Sequence, residues 1–144
     1  MSPKLVALMA ACLVGSAVAA PPAPEPLLPQ GLDWRQPPGM PLVRGAWVLG
    51  AEDREGLYAF RVELKAGARL PVHTHPDTRY STVLSGTLYV GFGEQADDAR
   101  LVAVPAGAVY VAPAGQPHYL LARDGDVVYQ EGGFGPTATI PFRR

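Results

Sequence analysis

The sequence predicts an all-β domain, folded as a closed barrel or jelly roll of short strands. Three observations predict it. Apolar residues alternate with a period of two where they cluster, and no window after residue 20 carries a 3.6-residue apolar period. Short β-branched and aromatic runs are separated by turn residues at regular spacing. The chain holds 16 glycines and 16 prolines among 144 residues, which supplies many turns and leaves little room for long helices. The length fits one domain with its own core, and no internal repeat of fixed period divides it.

Residues 1–19 stand apart. Met1-Ser2-Pro3-Lys4 gives a basic start, Leu5 to Gly15 an apolar run, and Ser16-Ala17-Val18-Ala19-Ala20 a small-residue site. That is the pattern of a secretory signal peptide, with cleavage expected after Ala19. The apolar run is too short to span a bilayer comfortably. The expected product is periplasmic or secreted and free of the membrane after cleavage. Cys12 is the single cysteine and lies in this segment. The mature chain would therefore have no disulfide and no thiol nucleophile.

Residues 20–41 form a Pro-rich N-terminal extension, from Pro21 and Pro22 to Pro37, Pro38 and Pro41. Proline fixes φ and lacks an N–H, so this stretch is neither a helix nor a central strand. Its start reads as a solvated tether, and its later part, around Leu32 and Trp34, as an edge lying against the domain. From Leu42 the chain reads as strands. Over Leu57 to Leu64, Tyr58, Phe60, Val62 and Leu64 share one face, and Arg61 and Glu63 the other. Arg79 to Gly91 is a long strand run broken by Ser85-Gly86, a tight turn or bulge. Leu101–Val104 and Ala108–Ala112 flank a turn at Pro105-Ala106-Gly107. Tyr119–Ala122 and Val127–Gln130 flank Asp124-Gly125, a two-residue hairpin signal. Glu94 to Arg100 reads as a helical turn or a polar loop.

Twelve Lys plus Arg stand against 13 Asp plus Glu, scattered along the chain, so neither nucleic acid nor an anionic membrane surface is an expected partner. The chemistry concentrates in the three histidines. His73-Thr74-His75 follows Leu70-Pro71-Val72, and in a strand residues i and i+2 point to the same side. Two imidazoles then aim at one point. His118 comes 43 positions after His75, just past the turn-rich Pro113-Ala114-Gly115-Gln116-Pro117. A barrel that closes on itself can bring it beside the pair. Neutral imidazoles bind first-row metals, and three of them leave coordination positions open.

The joint spacing resembles the cupin superfamily. Its first motif is Gly, five residues, His-x-His, three or four residues, Glu, six residues, Gly; here Gly67, His73, His75, Arg79 and Gly86 occupy those slots. Its second is Gly, five residues, Pro-x-Gly, two residues, His, three residues, Asn; here it reads Gly107, Pro113, Gly115, His118 and Ala122. The resemblance covers about residues 56–131 directly. It implies a double-stranded β-helix, the jelly-roll cupin barrel, over residues 42–144. It also implies a divalent metal (Fe, Mn, Zn or Ni) held by His73, His75 and His118, and a homodimer.

Two slots depart from the pattern. Ala122 stands for Asn, and Arg79 stands for a glutamate that is a metal ligand in many cupins. A guanidinium stays protonated and cannot ligate a metal. Turned inward, Arg79 would pair with an anionic group of a substrate; turned outward, it would be a solvated strand residue. Gln130 and Glu131 lie on one strand, so one of them faces inward, as a general base, a partner of a metal ligand or a replacement ligand. Tyr80, Tyr89, Tyr110 and Tyr119 are candidates for hydrogen bonds near the metal. No Gly-x-Ser-x-Gly elbow and no phosphate-binding Gly-rich loop occurs. The expected function is a metal-dependent enzyme on a small molecule, dioxygenase-like or isomerase- or decarboxylase-like. The alternatives are a non-catalytic module for a small ligand or a metal, and a structural barrel whose histidines bind metal only adventitiously.

Overall fold

The computed structural model describes residue 23 and residues 25–143. The signal segment and Cys12 lie outside the described residues. Ten strands follow in order: β1 (Val43–Leu49), β2 (Gly56–Leu64), β3 (Arg69–Thr74), β4 (Arg79–Ser85), β5 (Thr87–Phe92), β6 (Val102–Pro105), β7 (Val109–Ala112), β8 (His118–Leu121), β9 (Val127–Gly135) and β10 (Ile140–Pro141). They form two five-stranded antiparallel sheets, ordered β1-β2-β9-β4-β7 and β10-β3-β8-β5-β6. This is the all-β jelly-roll barrel that the alternation predicted. Glu94 to Arg100 carries a short 3₁₀ turn, Asp98–Arg100, with Asp97 accepting from the Ala99 N–H.

The connections differ from the simplest reading. The Asp124-Gly125 signal suggested a hairpin, but β8 pairs with β3 and β5, while β9 pairs with β2 and β4. The turn instead carries the chain from one sheet to the other. The same holds at Ser85-Gly86 and at Pro105-Ala106-Gly107. Gly86 makes its corner at φ +75°, with the Asp126 carbonyl so close that a Cβ would stand 2.3 Å from it; only glycine fits there.

The inward faces of both sheets meet in one core. Leu64, Leu88, Leu120, Val83, Val127 and Tyr129 are almost fully buried. Each such aliphatic side chain contributes about 1.5–3 kcal/mol on removal from water. Tyr58, Val62 and Leu64 face inward as the alternation of β2 predicted, with Phe60 packed partly buried beside the core. The outer face of the first sheet differs. Leu57, Tyr80, Leu84, Val109, Val111 and Phe134 all stand there in solvent.

The Pro-rich extension meets the barrel at its C-terminal part. Arg35 and Gly45 exchange backbone hydrogen bonds of 2.8 Å, and the Arg44 guanidinium lies 4.8 Å above the Trp34 ring. Residues 37–40 turn back on themselves, the Met40 N–H donating to the Pro37 carbonyl, and lead into β1.

Candidate metal centre

The sequence of β3 creates the centre. Pro71 offers no N–H to a ladder, and the pairing of β3 with β8 changes register between Leu70 and His73. Leu70 lies opposite Leu120 before the shift, and His73 directly opposite His118 after it. A one-residue change of register turns side chains to the other face, so this irregularity decides that both imidazoles enter the barrel. His75 follows just beyond the strand end, on the same side as His73.

The three rings face one another, with centroids 4.3 Å apart for His73 and His118, 4.9 Å for His73 and His75, and 5.1 Å for His75 and His118. All three are buried, and one ligand atom from each lies within 4.8 Å of the other two. Each Nδ1 sits against a backbone carbonyl: Pro71 at 2.7 Å for His73, Ala138 at 2.7 Å for His75, and Gln116 at 3.0 Å for His118. A carbonyl only accepts, so every Nδ1 carries the proton and every Nε2 keeps its lone pair. The Nε2 atoms of His75 and His118 are buried with no hydrogen-bond partner. Buried polar atoms left unpaired in this way are uncommon, and a cation fits the vacant lone pairs. Burial, with the nearby Arg79 charge and the other rings, pushes the His73 imidazolium pKa down to about 4 and that of His75 to about 3, and lowers that of His118. All three are therefore neutral near pH 7, the form that binds a metal.

Beside the histidines lies a second polar cluster. Arg79 points inward and is buried, as one of its two expected orientations required. Its partners, however, belong to the protein. One guanidinium nitrogen donates to Glu131 at 2.8 Å, and another to Asp77 at 2.8 Å and to Thr137. The Tyr58 and Thr137 hydroxyls each donate to Asp77 at 2.5 Å. Burial raises the Asp77 carboxyl, but the hydrogen bonds from Thr137, Tyr58 and Arg79 outweigh it and hold the group below the usual carboxylate range. Glu131 responds oppositely: burial pushes its carboxyl up, and the Arg79 charge only partly opposes this.

The remaining expectations sort by face. Gln130 points away from the site, because it alternates with Glu131 along β9; its amide oxygen accepts from Arg61 at 2.7 Å and 3.1 Å on the outer side of the sheet. Its expected place in the site is thereby corrected. Glu131 faces inward but is not a member of the three-histidine cluster among the described residues. Tyr80 turns outward, Tyr89 donates to Asp124, and Tyr119 donates to the Asp97 carbonyl. Tyr110 packs partly buried against the core. Asp77, Thr137 and Tyr58 escaped the sequence reading as site residues. Asp77 was within reach of it, since it precedes Arg79 by two positions; Thr137 lies in the segment after β9 and carries no motif.

A cavity of about 270 Å³ adjoins the centre, with His73, His75 and Glu131 in its wall. Phe60, Val62, Leu70 and Tyr129 line it from the sheets, and Pro37 and Met40 from the N-terminal extension.

Residues 60–130 match the family model described as a cupin domain. A germin-like protein of rice (Oryza sativa subsp. japonica), Germin-like protein 1-1, is 36% identical over 86 residues, covering 59% of this chain and 36% of that protein. The chain thus spans about a third of the length of the curated relatives it matches. Among solved structures, the polyketide cyclase RemF of Streptomyces resistomycificus superposes with a TM-score of 0.69 at 13% identity, over 85% of this chain and 87% of that one. KdgF of a Halomonas species gives 0.60 at 20% identity, over 82% and 94%. An RmlC-like cupin of Shewanella frigidimarina gives 0.60 at 18%, over 74% and 86%. At these identities the structural likenesses establish the fold.

Proposed function

Because the chain belongs to the cupin superfamily, we propose that it is an exported, metal-dependent enzyme that acts on a small molecule through a three-histidine centre, as a dioxygenase-like, isomerase-like or decarboxylase-like protein. The observation that carries this reading is the convergence of three imidazoles whose Nδ1–H groups are anchored to backbone carbonyls, two of them with buried, unpartnered Nε2 atoms. His73, His75 and His118 would hold the ion. When bound, a divalent Fe, Mn, Zn or Ni ion with open positions supplies Lewis acidity, or for iron a dioxygen-binding site.

The chain's own residues contribute proton handling and orientation. Glu131 lines the cavity, and burial raises its carboxyl, which suits it to accept and return a proton. Arg79 is its positioning residue, fixing the carboxylate from one side while Asp77 fixes Arg79. Two carboxylates pushed in opposite directions divide the roles: Asp77 stays ionised as an anchor, and Glu131 titrates.

Export rests on the signal-like residues 1–19, and pairing with a second copy belongs to the same reading. What supports the pairing is the apolar outer face of the first sheet, where Leu57, Tyr80, Leu84, Val109, Val111 and Phe134 are exposed side by side.

The test is metal analysis of protein purified without chelator or affinity tag, followed by oxygen uptake and product analysis across diols, thiols and oxo-acids. A retained ion with turnover supports the enzyme. Ligand-induced thermal stabilisation without product makes the protein a binding module instead.

A further inference from the structure

We infer that the ligand taken by this centre has a largely hydrocarbon body about the size of one substituted ring and carries no charge outside the single oxygen group directed at the histidines. The inference deepens the metal reading above and rests on it. The wall of the cavity carries it. The polar residues there are His73, His75, Glu131 and Thr139, all the others being apolar or tyrosine. No lysine or arginine lines it among the described residues.

Arg79 is the cation that a carboxylate-bearing substrate would need, and its guanidinium already serves Asp77, Glu131 and Thr137. A second anionic group on the ligand would enter beside the Glu131 carboxylate with no cation to meet it, and burying an unpaired charge is strongly unfavourable. The anionic group that Arg79 in the glutamate slot was expected to pair with thus finds both terminal guanidinium nitrogens engaged.

Size follows from the volume. An apolar cavity of about 150 Å³ accepts benzene, and about 270 Å³ leaves room for a ring with a short substituent. Phe60 helps to create the space. Its ring tip lies over Gly45, where a Cβ would stand 2.3 Å from it, so glycine lets the ring draw back against β1. Met40 and Pro37 close the cavity from the extension, which makes that segment part of the ligand site.

The test uses the full mature chain loaded with zinc, its metal content measured first, and two probes of like size titrated calorimetrically. 4-Ethylphenol offers one oxygen to the metal and an alkyl group at the far end, whereas benzene-1,4-dicarboxylate places a second carboxylate there whichever way it enters. The expected result is that 4-ethylphenol binds at least about tenfold more tightly. Met40→Arg, in the half-exposed extension, and Leu70→Arg, on β3, should each weaken 4-ethylphenol by about tenfold or more while zinc content stays at the wild-type level. Equal or tighter binding of benzene-1,4-dicarboxylate overturns the inference. So does failure of the zinc-loaded protein to bind either probe, or indifference to both arginines. Binding of 4-ethylphenol by protein that holds no zinc would instead defeat the metal reading and leave the apolar ligand site standing.

Discussion

His118 shows most clearly what a single residue does here. Its Nδ1–H is committed to the Gln116 carbonyl, and its Nε2 is buried with no partner. Replacing it with Ala should lower metal content at least about tenfold, the order of loss seen even for residues behind the ligands, with the far-UV circular dichroism of a β-protein retained. Arg79→Gln should be a stability variant first. It leaves Glu131 and Asp77 buried without their shared cation, a change worth about 3–5 kcal/mol in urea denaturation. Arg79→Lys should recover only part, because a single ammonium does not reproduce the guanidinium fork. Gln130→Ala, by contrast, removes only the outer-face contact with Arg61 and should leave metal content unchanged, with a stability change within about 1 kcal/mol. The spacing of the histidines makes the ion-holding residues legible in the sequence. The partners of Arg79 are less so, because Thr137 reaches Asp77 across 60 positions through a segment without periodicity.

At the scale of elements, the strands were legible and their partners were not. Alternation in Leu57 to Leu64 identifies the inward face, since period two follows from the backbone itself. Which sheet a strand joins depends on pairing far along the chain, and Asp124-Gly125 gives the same local signal for a hairpin and for a crossover. The register shift in β3 is the element-level feature on which the centre depends. Pro71→Val restores an N–H where the ladder is interrupted and lets β3 pair with β8 without the irregularity. That change should turn His73 away from His118 and weaken zinc about 10–100-fold in a competition titration with a chromophoric chelator. Unchanged affinity would show that the histidines, rather than the proline, dictate the register.

For the whole molecule, the buried imidazoles tie stability to pH and to metal. His73 and His75 titrate at about 4 and about 3 when folded, against about 6.5 when exposed. The unfolded chain therefore binds more protons between these values, and stability of metal-free protein falls as pH drops below about 6.5. Each ring contributes a loss on the order of 2 kcal/mol by pH 5. Glu131, raised by burial, works in the opposite sense, so Glu131→Gln should steepen the acid loss in urea midpoints measured from pH 7 to 5. The proposed pairing is also a whole-molecule property: Phe134→Lys with Tyr80→Lys, both on the exposed apolar face, should convert a dimer to a monomer in sedimentation without altering metal content.

The account turns on whether His73, His75 and His118 close on one shared ion. X-ray absorption of tag-free protein, with metal counted on the same sample, tests this most directly. The expected result is roughly one divalent ion per chain with three imidazole nitrogens at about 2.0–2.1 Å for zinc. Substoichiometric metal that washes out with dilute chelator, or a shell with at most one imidazole, would contradict it.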